Sequence, residues 1–129
     1  MTNQEIYDSA LRLASEVQQS DANQDYKERA PYLIAAICYR YAPLDKLYRK
    51  ANNLSEQKLL AINCFPFPTL FPLCEVFAPA VSSALAGLLV LEENPELSDR
   101  LMKLADDMIA DLRSAFPFRK ESIVSYYTL

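Results

Sequence analysis

The sequence predicts an all-α fold: a small helical bundle of four to five helices around a buried central helix at about residues 73–93, followed by a C-terminal extension. Three observations lead there. First, the stretch Cys74–Leu91, CEVFAPAVSSALAGLLVL, carries no charge between Glu75 and Glu92. In it small residues such as Ala80, Ser83, Ala84 and Gly87 alternate with Val76, Phe77, Val81, Leu85 and Leu89. A helix that is apolar all round is a buried helix. Second, Leu97, Leu101, Leu104, Ala105, Met108 and Leu112 fall within an arc of about 100° at helical spacing, with Asp99, Lys103 and Asp106 opposite. Third, Ile6, Ala10, Leu13, Ala14 and Val17 make a stripe whose far side carries Glu5, Asp8, Arg12, Glu16 and Gln18. The chain has 129 residues and is 51% hydrophobic, enough for one domain with a real core. Residues 1–115 read as the bundle domain and 116–129 as an apolar tail.

In order, the first helix should run from Asn3 to Gln19. Thr2 and Glu5 have the capping-box spacing at its start. Ser20–Gln24, rich in capping residues, reads as a turn. A second helix should run from Asp25 to Tyr41 on the stripe Tyr26, Ala30, Leu33, Ile34, Ile37, Tyr41. Pro31 implies either a kink in it or a start near Ala30, and both stay open. Pro43 should break the chain, leaving Leu44–Ala51 as a short separate helix. Its Lys46, Arg49 and Lys50 read as a solvated basic face, or else as a contact for an acidic partner surface. Asn52-Asn53 is a turn signal, and Leu54–Asn63 is ambiguous.

Cys64–Leu73, CFPFPTLFPL, holds too many prolines for a regular helix. It reads as an extended segment docked on its own domain through Phe65, Phe67, Leu70 and Phe71. The central helix, Leu73–Glu93, tolerates Pro79 in its first turn or as a kink. Gly87, the chain's only glycine, implies a close helix–helix crossing there. Asn94-Pro95-Glu96 combines an N-cap, a proline at the first helical position and an acid near the positive end of the dipole. The helix it starts should end at Phe116, before Pro117. The tail that follows is too apolar to stand idle, and docks on its own domain or on a neighbour.

Composition excludes several chemistries. The chain has no histidine, which removes His-activated nucleophiles and His-ligated metals. One glycine cannot build a phosphate-cradling loop or a dinucleotide fingerprint. Glu92-Glu93 and Asp106-Asp107 are adjacent, so each pair points about 100° apart on a helix and forms no dyad. Glu75 could be a buried carboxylate, but the helix dipole accounts for its position. Cys38, Cys64 and Cys74 match no metal or redox spacing and read as buried small hydrophobes in a reducing compartment. A net charge of −4 argues against phosphate-backbone binding. The N-terminus MTNQEIYDSA lacks a signal peptide's regions, so a cytoplasmic origin is expected. The central stretch is too short, and too broken by Pro79, Ser82 and Ser83, for a membrane span. The expectation is a protein that is not an enzyme and uses no cofactor and no metal.

Residue order adds a resemblance. The opening helix Thr2–Ile6 through Leu11-Arg12-Leu13 is followed by Asp25-Tyr26 and Arg29-Ala30 before Leu33-Ile34. Ala84–Leu89 then runs into Glu92-Glu93-Asn94-Pro95-Glu96, and an acidic amphipathic helix leads to an Ile123–Tyr126 ending. Taken together this resembles the head–tail adaptor (connector) proteins of tailed phages and prophages. Cys64–Leu73 departs from that pattern. The resemblance implies a structural protein of the head–tail junction of the virion, made in the bacterial host cytoplasm. It implies a homo-oligomeric ring, with the portal protein and a stopper or tail-completion protein as partners. DNA would pass through the ring without sequence-specific binding, and no membrane is involved. Phe116, Phe118, Ile123, Tyr126 and Tyr127 are the expected interface residues, because aromatic and large apolar side chains anchor interfaces. The competing reading is a generic helical interaction or regulatory module with no phage role.

Overall fold

The computed structural model describes residues 1–14, 20–59 and 63–115, with the backbone alone at 20–24. Four α-helices form among them: α1 (Asn3–Ala14), α2 (Ser20–Ala51), α3 (Ala78–Leu89) and α4 (Pro95–Ala115). The fold is all-α. Among the described residues, the β pairing is a single antiparallel bridge between Thr2 and Leu70.

The apolar helix is at the centre, as its composition requires. α3 packs on α4, α1 and α2, and all its residues but Pro79 and Leu88 are buried. It is shorter than expected. A 3₁₀ turn, Glu75–Phe77, precedes it, and Pro79 falls in its first turn, where a missing N–H costs nothing. Its other end closes at Leu89, and the turn beyond is held by Asn94 N donating to Val90 O at 2.8 Å. Glu75 is exposed on the 3₁₀ turn, so it is not a buried carboxylate.

α4 returns antiparallel along α3. Asn94 caps it, its Oδ1 accepting from Leu97 N at 3.1 Å. The two helices exchange hydroxyl bonds: Ser83 Oγ donates to Leu101 O and Ser98 Oγ to Gly87 O, both at 2.7 Å. Two buried hydroxyls are thereby satisfied without a polar core. The crossing is close at Gly87, as anticipated. A Cβ there would lie 2.9 Å from Met102 Sδ and 3.2 Å from Ser98 O. Leu101 and Ala105 are buried, whereas Leu104, expected in the stripe, is exposed at its edge.

α2 departs most from the sequence reading. Ser20–Gln24 is not a turn but the first part of this helix, and Pro43 does not break it. Each interior proline removes a backbone donor, a cost of about 3 kcal/mol in isolation. Tertiary packing offsets that cost. The buried stripe of Tyr26, Ala30, Ile34, Cys38, Tyr41 and Leu44 runs unbroken past both prolines, and packing outweighs propensity in helices of proteins. The expected short helix 44–51 is therefore the last part of α2. α2 stops in a Schellman turn. Asn53 adopts φ 55°, Leu54 N donates to Arg49 O at 2.8 Å and Asn53 N to Lys50 O at 3.4 Å.

The proline-rich stretch is self-docked, as expected, but it is not extended throughout: it turns at Pro66–Thr69, where Thr69 N donates to Pro66 O at 3.1 Å, and its partner is the start of α1. Asn3 N donates to Thr69 O at 3.0 Å, Gln4 N to Phe67 O at 3.0 Å, and Phe71 N to Met1 O at 2.9 Å. The first N–H groups of a helix have no intrahelical acceptor, and a proline-rich segment offers carbonyls in excess of donors. Buried Asn3 adds Nδ2 bonds to Pro66 O and Thr69 Oγ1. Of the capping box, Thr2 N donating to Glu5 Oε2 at 3.2 Å is present. Phe65 and Phe71 are buried anchors, and Phe67 stacks on Tyr7 with ring centroids 4.8 Å apart. Leu70 is not an anchor: it pairs with Thr2 through the backbone bridge and its side chain is 73% exposed.

The last residues of the expected first helix, 15–19, and the whole tail, 116–129, lie outside the described residues, and with the tail the interface set Phe116, Phe118, Ile123, Tyr126 and Tyr127. The Gly87 crossing makes a direct test. Gly87→Val should lower unfolding free energy by about 1–3 kcal/mol in urea titrations, because a branched side chain has Ser98 backbone in its way.

Candidate functional site

The one buried ionic centre among the described residues lies at the C-terminal end of α2. The register of its buried stripe, Ile34, Cys38, Tyr41, continues to position 45, which holds an aspartate. Asp45 is 0% exposed. Arg49, one turn on, reaches back with Nε to Asp45 Oδ2 at 2.8 Å, its own side chain 15% exposed. The remaining guanidinium nitrogens donate to Ser55 O and Pro72 O, both at 3.0 Å. Gln57 Nε2 donates to Asp45 Oδ2 at 2.7 Å and to Ala42 O at 3.0 Å. Cys74 N donates to Asp45 Oδ1 at 2.9 Å. One ion pair thus ties α2, the loop 54–59 and the strap 63–74 together.

This corrects the reading of Lys46, Arg49 and Lys50 as one solvated basic face. Lys46 and Lys50 are exposed, but Arg49 is neutralised and half-enclosed. Arg49 lies on the wall between two grooves. One, of about 620 Å³, is lined by Lys46, Lys50, Asn53, Leu54, Glu56 and Gln57. The other, of about 580 Å³, runs along the strap past Lys58, Phe65, Leu70 and Pro72. A smaller hollow of about 350 Å³ lies between α2 and α4 beside Tyr41, Pro43, Asp106 and Ile109.

The three cysteines are free thiols. Cys38 is buried, as expected, while Cys64 and Cys74 are half-buried. Burial, aided by the Asp45 charge, pushes the Cys38 thiol up to about 12. Burial, then the hydrogen bond and charge of Asp45, pushes Cys74 up to about 11, against a smaller opposite pull from Arg49. A thiol held protonated is a poor nucleophile and a poor metal ligand. Neither adjacent carboxylate pair is a dyad: Glu93 accepts the Tyr26 hydroxyl at 2.5 Å, and Asp106 and Asp107 are exposed. Among the described residues no three Cys, Asp or Glu side chains converge on one point, and no helix is long and apolar enough to cross a membrane.

No protein family, curated protein or solved structure matches this chain. Sequence reasoning missed Asp45, although two signals mark it: its place in the register of the stripe, and an oppositely charged residue four positions on. Gln57, Ser55 and Pro72 have no such signal, because only the return of the chain brings them to Arg49.

Two outcomes are expected. Asp45→Ala leaves the Arg49 guanidinium, Gln57 and Cys74 N without their acceptor, and should cost about 3–5 kcal/mol in urea unfolding. The second concerns alkaline pH. Below pH 9 the Cys38 thiol is neutral in both states. Between 9.0 and about 12 it ionises only when unfolded, so stability should fall as pH rises through that window. Cys38→Ala should reduce the slope in thermal melts. It should not abolish it, because burial also raises the Tyr7 and Tyr41 hydroxyls.

Proposed function

We propose that this chain is a non-catalytic assembly subunit of the phage head–tail adaptor type. The observation that carries the assembly half of this reading is where the chain's polar and apolar groups are spent. Its buried ion pair has its hydrogen bonds committed to holding the fold. Large apolar side chains, among them Tyr32, Leu47, Leu54, Leu70 and Leu91, stand exposed on well-anchored elements. Tyrosine is among the side chains enriched where proteins meet. The head–tail half rests on the sequence resemblance, with Ala84–Leu89 running into the acidic Glu92–Glu96 corner as its main support. A net charge of −4 suits a ring subunit around DNA, since like charge lets the duplex pass without being gripped.

In this reading the partners are further copies of the chain, the portal protein and a stopper or tail-completion protein, and the tail is the interface anchor. A pull-down from a phage-induced lysate of the organism carrying the gene tests it. The full chain and a truncation after Ala115 serve as baits, and bound proteins are identified by mass spectrometry. The full chain should recover portal or tail-completion proteins and the truncation should lose them. Recovery of no phage protein from a lysate holding assembled particles would leave an interaction module without a phage role.

A further inference from the structure

Charge in this acidic chain is separated along its longest helix. At the C-terminal end of α2, Lys46 and Lys50 stand exposed in the groove of about 620 Å³, with Leu54 beside them, 48% exposed. Asp45 already neutralises Arg49, so the groove's free charge is these two lysines against Glu56 alone. The corner between α3 and α4 lies at the other end. Tyr26 and Arg29 of α2 fix it there: the Tyr26 hydroxyl donates to Glu93, and Arg29 Nη2 donates to Leu89 O at 3.1 Å. The corner exposes Leu91, at 51%, with Glu92 and Glu96. From Tyr26 to Lys50 is about 36 Å of helix at 1.5 Å per residue. The basic groove and the acidic corner of one molecule therefore cannot touch.

We infer that the groove is a docking surface for a second copy of this chain, which presents its α3–α4 corner: Glu92 and Glu96 to Lys46 and Lys50, Leu91 to Leu54. The charges are complementary, and each side carries an exposed leucine, Leu54 in the groove and Leu91 at the corner. Both surfaces are preorganised, the groove by the Schellman turn at Asn53 and the corner by the Asn94 cap, so docking orders little chain. The contact is heterologous. Each copy that docks leaves one groove and one corner open, the geometry that closes into rings or extends into filaments. The inference rests on reading the chain as an assembly subunit and assigns the surfaces by which copies meet.

Sedimentation velocity of the full chain, from about 10 μM to about 1 mM and at low and high salt, is the test. Self-association should rise with concentration and weaken with salt. Lys46→Glu with Lys50→Glu should weaken it at least about tenfold, and so should Glu92→Lys with Glu96→Lys, since like charges would then face each other. All four reversals in one chain should restore it. Rescue between sites this far apart cannot arise inside a monomer, so it separates contact from damage to the fold, which circular dichroism monitors. If the fourfold variant does not fold, mixing the two double variants replaces it, because each supplies the partner the other needs. A wild-type chain that stays monomeric throughout overturns the inference. So do reversals without effect, or folded reversed chains that neither rescue nor associate when mixed. A monomeric chain that still recovers portal protein loses this interface and keeps its assembly role. A self-associating chain that recovers no phage protein does the reverse.

Discussion

Three separate stretches of chain meet at the carboxylate of Asp45. The helix supplies Arg49, the loop after it supplies Gln57, and the strap supplies Cys74 N. Arg49 in turn reaches carbonyls at Ser55 and Pro72. A buried pair of this kind adds little to stability over an apolar replacement, since desolvation consumes most of the attraction. Its effect is on arrangement. Backbone donors and acceptors of segments with no regular structure of their own find partners only if the strap and loop sit where they do. The strap then supplies carbonyls to the start of α1, so the ion pair at one end of α2 also helps hold the first helix. The grooves on either side of Arg49 are a by-product of the same arrangement.

The core is organised differently. Around α3 the governing term is apolar burial, and the polar exceptions are small and self-cancelling. Ser83 and Ser98 each lend a hydroxyl to the facing backbone across the α3–α4 crossing. Gly87 allows that approach, at a helix-propensity cost of about 1 kcal/mol that closer packing offsets. The prolines of α2 follow the same logic. Pro31 and Pro43 are unfavourable locally and are carried by a buried stripe running along the helix. Pro31 O also accepts Phe65 N at 3.0 Å, linking the helix to the strap.

With the ionic centre committed to structure and the most perturbed thiols held neutral, what the surface offers a partner is shape, exposed leucines and tyrosines, and charge separated between the two ends of α2. Anchored elements carry these features. Fixed surfaces lose less entropy on docking than mobile ones.

The sequence by itself determined the all-α class, the buried α3, the tight crossing at Gly87, the Asn94 cap and the turn at Asn53, and the non-helical, docked proline stretch. Each follows from local pattern: uninterrupted apolarity, a lone glycine, capping chemistry, too few backbone donors. Tertiary structure alone decided that α2 runs unbroken through Pro43, that Ser20–Gln24 is helical, and that Leu70 and Leu104 face outward. Those outcomes weigh a local penalty against burial elsewhere, and burial depends on what the chain brings alongside. The candidate site divides in the same way. Asp45 was missed although its register in the apolar stripe and the arginine four positions on mark it, and Arg49 was misread as part of a solvated face. Their partners at Ser55, Gln57, Pro72 and Cys74 were not legible, because a hydrogen bond to a returning segment leaves no periodic trace in the order of residues.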